Sequence, residues 1–132
     1  MNKARTVFVV DDDLSARRAL TRLLRTAGHD VYDFASAQDF LAALGTDAFG
    51  CVVLDVTMPG MSGEELVVEL NARGVRLPVI VVTADDDAET RSKAQRMKAA
   101  AFFRKPVDGT ALLDAVEWAL RENNAGGNHK RR

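Results

Sequence analysis

Three short runs of this sequence are apolar at every position, namely Val7–Val10, Cys51–Leu54 and Pro78–Val82. A strand with one face in water alternates apolar and polar residues, whereas a strand covered on both faces is apolar throughout. The three runs therefore predict strands of a parallel sheet that carries helices on both faces.

Amphipathic stretches separate the apolar runs, and this alternation predicts five strand–helix units. The predicted strands are Thr6–Val10, Val31–Phe34, Cys51–Leu54, Pro78–Val82 and Ala101–Phe103. The predicted helices run over Leu14–Ala27, from Ser36 to Gly45, from Ser62, after Asp87, and from Asp108 to about Arg121. Because strand–helix–strand crossovers are right-handed, the pattern indicates an α/β fold with a doubly wound, five-stranded parallel sheet.

Composition narrows the classes of function. The 132 residues, of which 47% are hydrophobic, suit one globular domain, which we place at residues 4–122. The polar and Gly-rich stretch 123–132, basic at its end, is expected to be a flexible tail.

A net charge of −1 gives no bulk attraction to nucleic acid or membrane, so neither is expected as a direct partner. The chain has a single cysteine, Cys51, which suits a reducing compartment. It shows no signal-peptide or membrane-spanning pattern, so we expect a cytoplasmic location.

The first apolar run opens directly into three consecutive carboxylates, Asp11, Asp12 and Asp13. Adjacent like charges repel, and a bound divalent cation would offset that repulsion. Mg²⁺ is suited to such a place because it prefers carboxylate and water oxygens. The run also suits a helix start, where the helix dipole favours acids, and this explanation fits Asp13 better than the other two. The stretch alone leaves both interpretations open.

Further polar residues follow the other strands. Asp55 follows the third strand, Thr83 ends the fourth, and Lys105 follows the fifth. Ligands of doubly wound sheets bind at the carboxyl ends of the strands, so these residues should gather with Asp11 and Asp12. Phosphoryl transfer to a carboxylate needs such a set: an aspartate as nucleophile, Mg²⁺ against the negative charge, and a lysine and a hydroxyl for the phosphate oxygens.

Four segments make the chain resemble the receiver domain of two-component response regulators over about residues 4–122. They are Val9–Asp13, Leu54–Gly63, Pro78–Ala84 and Phe102–Pro106. Their spacing is most similar to receivers of the nitrogen-fixation and light-response transcription-factor group. The resemblance implies a five-stranded sheet of order 2-1-3-4-5 with five helices.

The resemblance also implies a metal site and a reactive residue. Asp55 would be the phosphoacceptor. Asp12, Asp55 and the backbone carbonyl of Thr57 would bind Mg²⁺ directly, and Asp11 would hold it mainly through water.

Three further residues would sense the phosphoryl group. Thr83 would move to hydrogen-bond it, and Lys105 would pair with Asp55 at rest and with the phosphate afterwards. Phe102 stands where the family carries an aromatic switch residue, with a plain core role as the open alternative. The Lys105–Pro106 bond is typically cis in this family.

The implied function is a signalling switch rather than an enzyme, catalysing only its own phosphorylation and dephosphorylation. A sensor histidine kinase or phosphotransfer protein would supply the phosphoryl group. The fourth helix, fifth strand and fifth helix would then change their surface toward a second copy or a downstream protein. The output stays open between a stand-alone regulator and one domain of a longer transcription factor.

Two other classes of function compete with this interpretation. A Mg²⁺-dependent phosphatase or phosphotransferase can use an aspartate nucleophile on a similar sheet, but usually needs a second acid where Thr57 stands. A metal-free interaction module is the other alternative, and the complete set of acids, threonine and lysine argues against it.

One departure from the family pattern concerns the end of the fourth helix. Many receivers have a glycine before the fifth strand, whereas this chain has Lys98–Ala101. A non-glycine residue in a left-handed cap costs roughly 1 kcal/mol, so this helix is expected to run on or to end differently.

Overall fold

The structure, a computed structural model, describes residues 5–45 and 47–129, with side chains described as far as Asn123. The strands are β1 (Thr6–Val10), β2 (Asp30–Phe34), β3 (Cys51–Leu54), β4 (Val79–Thr83) and β5 (Ala101–Arg104). The helices are α1 (Leu14–Thr26), α2 (Ala37–Ala43), α3 (Gly63–Ala72), α4 (Ala88–Arg96) and α5 (Gly109–His129). Strands and helices alternate along the chain, as the apolar and amphipathic stretches predict.

The strands form one parallel sheet of order β2-β1-β3-β4-β5, which confirms the predicted fold class and strand order. The three strands that are apolar throughout, β1, β3 and β4, occupy its centre. The order reverses between β1 and β3, which pair directly with Val10 opposite Leu54. The loops after these two strands therefore start side by side at the carboxyl edge of the sheet.

Two apolar cores cover the two faces of the sheet. Alternate strand residues such as Val10 and Leu54 pack with α2, α3 and α4, whereas Val9 and Val53 pack with α1 and α5. Burying apolar side chains on both faces is what makes continuous apolar strands favourable.

Side-chain caps begin several helices where the sequence predicts them. The Ser62 hydroxyl accepts the Glu65 N–H and the Glu65 carboxylate accepts the Ser62 N–H, so the two residues form a capping box at the start of α3. Ser36 caps α2 through the Asp39 N–H, and Asp108 accepts the Ala111 N–H at the start of α5.

Three helices end on the same left-handed turn. It falls at Gly28 after α1 and at Gly74 after α3, with φ of 94° and 73°. After α4 the residue is Lys98, with φ of 56°. The Lys98 and Ala99 N–H groups donate to the Gln95 and Ala94 carbonyls, at 3.0 and 3.1 Å. The expectation that this helix runs on or ends differently is therefore wrong: α4 ends on the turn that glycine usually makes, and these two hydrogen bonds offset the strain at Lys98.

The last helix is longer than the sequence indicates. We predict an end near Arg121, whereas the helical backbone of α5 continues to His129. An amphipathic pattern marks only the packed part of a helix, and Leu120 is the last buried side chain of α5 among those that the structure describes. Residues 130–132 of the predicted tail lie outside the described residues, and the domain boundary at residue 122 stays a prediction.

Candidate functional site

Three carboxylates meet at the carboxyl edge of the sheet, where β1 and β3 end. Asp11, Asp12 and Asp55 each place an oxygen within 4.8 Å of the others. The Asp55 N–H donates to the Val10 carbonyl at 3.0 Å, which extends the pairing of β1 with β3 into the site. Asp11 and Asp55 are 1% and 6% exposed, whereas Asp12 faces solvent. The juxtaposition expected from the strand ends is therefore present.

The three consecutive acids after β1 have two different roles. Asp13 is the N-cap residue that precedes α1; its backbone is extended, and its side chain makes no capping hydrogen bond. Its backbone N–H instead donates to Asp11 Oδ1 at 3.0 Å, which orients that carboxylate. Asp13 therefore lies at a helix start, as its type suggests, while Asp11 and Asp12 belong to the carboxylate cluster.

Lys105 bridges two of the carboxylates. Its Nζ donates to Asp11 Oδ2 at 2.8 Å and to Asp55 Oδ2 at 3.2 Å. The resemblance implies only the pairing with Asp55, so the shorter bond to Asp11 is new. The Lys105 N–H donates to the Thr83 carbonyl at 2.8 Å, and the Lys105–Pro106 bond is cis, as the family resemblance implies.

The pKa values of Asp11 and Lys105 are both raised above their ordinary values. Burial raises the pKa of the Asp11 carboxyl, and the Lys105 hydrogen bond opposes that rise only in part. Burial alone would lower the pKa of Lys105, but its hydrogen bond to Asp11 and the charges of Asp55 and Asp11 outweigh burial and raise it. One ammonium thus faces two carboxylates, and their negative charge favours its protonated form.

Thr57 donates two hydrogen bonds to Asp55, the third carboxylate of the cluster. Its N–H and its hydroxyl both donate to Asp55 Oδ1, at 2.9 and 2.8 Å. With Lys105 on Oδ2, both oxygens of Asp55 therefore accept hydrogen bonds. The sequence assigns only a carbonyl role to Thr57, and nothing local to residues 55–57 indicates that its hydroxyl would turn toward Asp55.

Thr83 and Phe102 lie on neighbouring strands beside this cluster. The Thr83 side chain is fully buried, and its hydroxyl accepts the Asp85 N–H at 3.1 Å. Phe102 pairs in register with Val81 and is half-buried against the core on the α3 face, while Phe103 packs on the opposite face. The guanidinium of Arg91 lies over the Phe102 ring, 5.2 Å from its centroid.

Arg17 is a site residue that sequence reasoning missed. From α1 it donates to the Asp11 carbonyl at 2.9 Å and to Asp33 Oδ2 on β2 at 3.1 Å. It therefore ties the loop after β1 to the neighbouring strand. A basic residue about one helical turn after an acid run is the signal that could have indicated this contact.

The donor set fits Mg²⁺. The clustered ligand atoms of Asp11, Asp12 and Asp55 are all carboxylate oxygens, which hard divalent cations prefer. The exposure of Asp12 leaves a path for water and a ligand, and the negative excess favours a cation.

Fold and site together define a class of protein. The chain is a doubly wound α/β domain with an acidic, lysine-bridged pocket at the point where the strand order reverses. A statistical model of the response regulator receiver domain matches residues 7–117. The chain therefore belongs to the receiver-domain family of two-component response regulators.

Individual relatives agree with this assignment. The chain is 47% identical over 120 residues to the transcriptional regulatory protein TdiR of Thauera aromatica, covering 91% of this chain and 53% of TdiR. It is 42% identical over 120 residues to FixJ of Azorhizobium caulinodans, covering 91% of this chain and 57% of FixJ. It thus spans about half the length of these regulators. The resemblance to the nitrogen-fixation group is confirmed.

Solved structures show the same fold. The response regulator StyR superposes with a TM-score of 0.87 at 42% identity, over 96% of this chain and 64% of StyR. The crystal structure of FixJ-N superposes with a TM-score of 0.80 at 34% identity, over 88% of this chain and 93% of its own length. Within residues 5–45 and 47–129, none of the helices combines the length and the hydropathy that a membrane span requires.

Proposed function

We propose that Asp55 accepts a phosphoryl group from a sensor histidine kinase or a phosphotransfer protein. One observation carries the proposal. The buried Asp55 accepts a hydrogen bond from Lys105 on one oxygen, and two further carboxylates each place an oxygen within 4.8 Å of it. Neither structural packing nor helix capping needs three carboxylates at this spacing, whereas a metal-assisted phosphoacceptor does.

The residues of the cluster divide the binding of the metal among them. Asp12, Asp55 and the Thr57 carbonyl would hold Mg²⁺ directly, and Asp11 would hold it mainly through water. When bound, the ion supplies positive charge against the negative charge of the acceptor and of the incoming phosphoryl oxygens. Lys105 keeps Asp11 and Asp55 close together before the ion enters.

The transfer step forms one bond and breaks one bond. An Asp55 carboxylate oxygen attacks phosphorus, and the bond from phosphorus to the donor breaks, its electron pair leaving with the donor atom. With a phosphohistidine donor that atom is an imidazole nitrogen, which then takes a proton. Lys105, already on Asp55, stays to pair with the phosphoryl oxygens, and the Thr83 hydroxyl donates to them once it leaves the Asp85 N–H.

Phosphorylation would change the surface that α4, β5 and α5 present to other proteins. The phosphoryl group adds about −1.5 to −2 charge and strong acceptor oxygens, which biases a two-state equilibrium near Thr83 and Phe102. This surface would meet a second copy or a downstream protein in the cytoplasm. TdiR and FixJ are named as transcriptional regulators, so regulation of transcription through a further part of the protein is the output we propose.

Mass spectrometry after incubation with acetyl phosphate and Mg²⁺ tests the proposal. The wild-type chain should gain one phosphoryl group, and Asp55→Asn should gain none. Asp13→Asn is the matched control, because it removes an acid of the same run that is outside the cluster, and it should be phosphorylated like the wild type. A gain that persists in Asp55→Asn would refute the assignment of Asp55.

A further inference from the structure

An arginine covers the aromatic residue at the proposed switch position. Arg91, in the first turns of α4, places its guanidinium carbon 5.2 Å from the centre of the Phe102 ring. This distance is within the range of an attractive cation–π contact. Phe102 lies on the edge strand β5 and is only half-buried, so the contact covers the part of the ring that the core leaves open.

The arginine is itself held by the loop that follows Thr83. Asp86 forms an ion pair with Arg91 through Nε. The residue before it, Asp85, donates its N–H to the Thr83 hydroxyl. The hydrogen bond from Arg91 lowers the pKa of Asp86, so the pair is charged at neutral pH. A continuous path therefore runs from Thr83 through residues 85 and 86 to Arg91 and the Phe102 ring.

We propose that Arg91 is a positioning residue that holds the Phe102 ring in its resting orientation, and that Asp86 links this contact to the Thr83 loop. The inference rests on the proposed function for its consequence. When the Thr83 hydroxyl turns to the phosphoryl group, its bond to the Asp85 N–H is lost. The loop that holds Asp86 is then free to shift, and Arg91 leaves the ring.

Fluorine NMR of the full chain labelled with 3-fluorophenylalanine tests the resting part of this inference. The chain has six phenylalanines, and Phe102→Leu assigns the signal. Arg91→Met keeps an unbranched apolar side chain without the cation, and Asp86→Asn keeps the shape without the charge. Arg96→Met is the matched control, because Arg96 is on the same helix and pairs with Glu64 through two contacts of 2.8 and 3.1 Å.

The measured quantity is the population of the minor Phe102 orientation in unphosphorylated protein, from relaxation dispersion. An exposed cation–π contact corresponds to about a two- to fivefold change in population, so Arg91→Met should raise the minor population by that factor. Asp86→Asn should change it in the same direction, and Arg96→Met should leave it unchanged. An unchanged population in Arg91→Met, or an equal rise in Arg96→Met, overturns the inference. Because the protein is unphosphorylated, this result is independent of whether Asp55 accepts a phosphoryl group.

Discussion

Replacing Asp12 by Asn should stabilise the metal-free protein while removing its response to Mg²⁺. Asp12 is the exposed member of a cluster in which oxygens of the three carboxylates lie within 4.8 Å of one another. It makes no hydrogen bond or ion pair within the part of the chain that the structure describes, so the amide loses no contact. The substitution therefore isolates the repulsion between Asp12 and its two neighbours.

The size of the effect follows from the separation and the exposure. Two like charges 4.8 Å apart repel by about 0.9 kcal/mol at the dielectric constant of water. This constant is appropriate because Asp12 faces solvent. Asp11 and Asp55 each contribute one such repulsion, and the positive charge of Lys105, which pairs with both of them, offsets part of the sum. We therefore expect a gain in the free energy of unfolding of about 1 kcal/mol.

Urea unfolding in EDTA and then in Mg²⁺ measures both halves of the prediction. In EDTA, Asp12→Asn should unfold at a higher urea concentration than the wild type. Mg²⁺ at about ten times its dissociation constant should stabilise the wild type by about 1.4 kcal/mol, and should stabilise the variant far less. Asp13→Asn is the control, and should stay within about 0.5 kcal/mol of the wild type in EDTA.

Two outcomes would refute this reasoning. If Asp12→Asn were less stable than the wild type in EDTA, repulsion in the cluster would not be the dominant effect. If Mg²⁺ stabilised Asp12→Asn and the wild type equally, Asp12 would not be a ligand.

Three further predictions concern stability away from the cluster. Lys98→Gly should raise the free energy of unfolding by about 0.5–1 kcal/mol, because φ of 56° strains a residue with a Cβ. Gly74→Ala, where a Cβ would meet nothing within 4 Å, should lower it by about 1 kcal/mol, and an unchanged midpoint in either variant would contradict the strain argument. Burial and then the charge of Arg5 lower the pKa of His29, against the opposing charge of Glu117, so the folded state binds fewer protons than the unfolded state. Stability should therefore fall as pH drops below the ordinary value of 6.5, by at most about 1.4 kcal/mol per pH unit, and this part of the fall should be absent in His29→Gln.

Local sequence patterns are sufficient to predict the positions of most helices and strands. Continuous apolar runs locate β1, β3 and β4, because burial on both faces leaves no polar position. Short-range hydrogen bonds locate the starts of α2, α3 and α5, because a cap involves residues only three positions apart. The end of α5 is missed because its helical backbone continues into a polar and Gly-rich stretch that carries no apolar periodicity.

Only part of the candidate site can be predicted from local sequence. The residues at the strand ends can be read in order from the sequence, and the parallel sheet brings them to one edge. Contacts between side chains of distant segments cannot be read in this way. Lys105 and Asp11 are 94 positions apart, and their bond depends on the strand order and on the conformation of the Lys105 side chain. The Arg17 contact to Asp33 likewise depends on how α1 crosses β1 and β2.

The sequence by itself thus determines a parallel α/β sheet and an acidic edge that carries Asp55, because burial and strand polarity act over a few residues at a time. Only the tertiary structure decides that Lys105 joins Asp11 to Asp55, that Lys98 adopts a left-handed turn, and that Arg91 covers Phe102. The first and the third depend on how separate elements pack against one another, and the second depends on backbone hydrogen bonds that form only in the folded turn. Periodicity and local propensity carry no information about either.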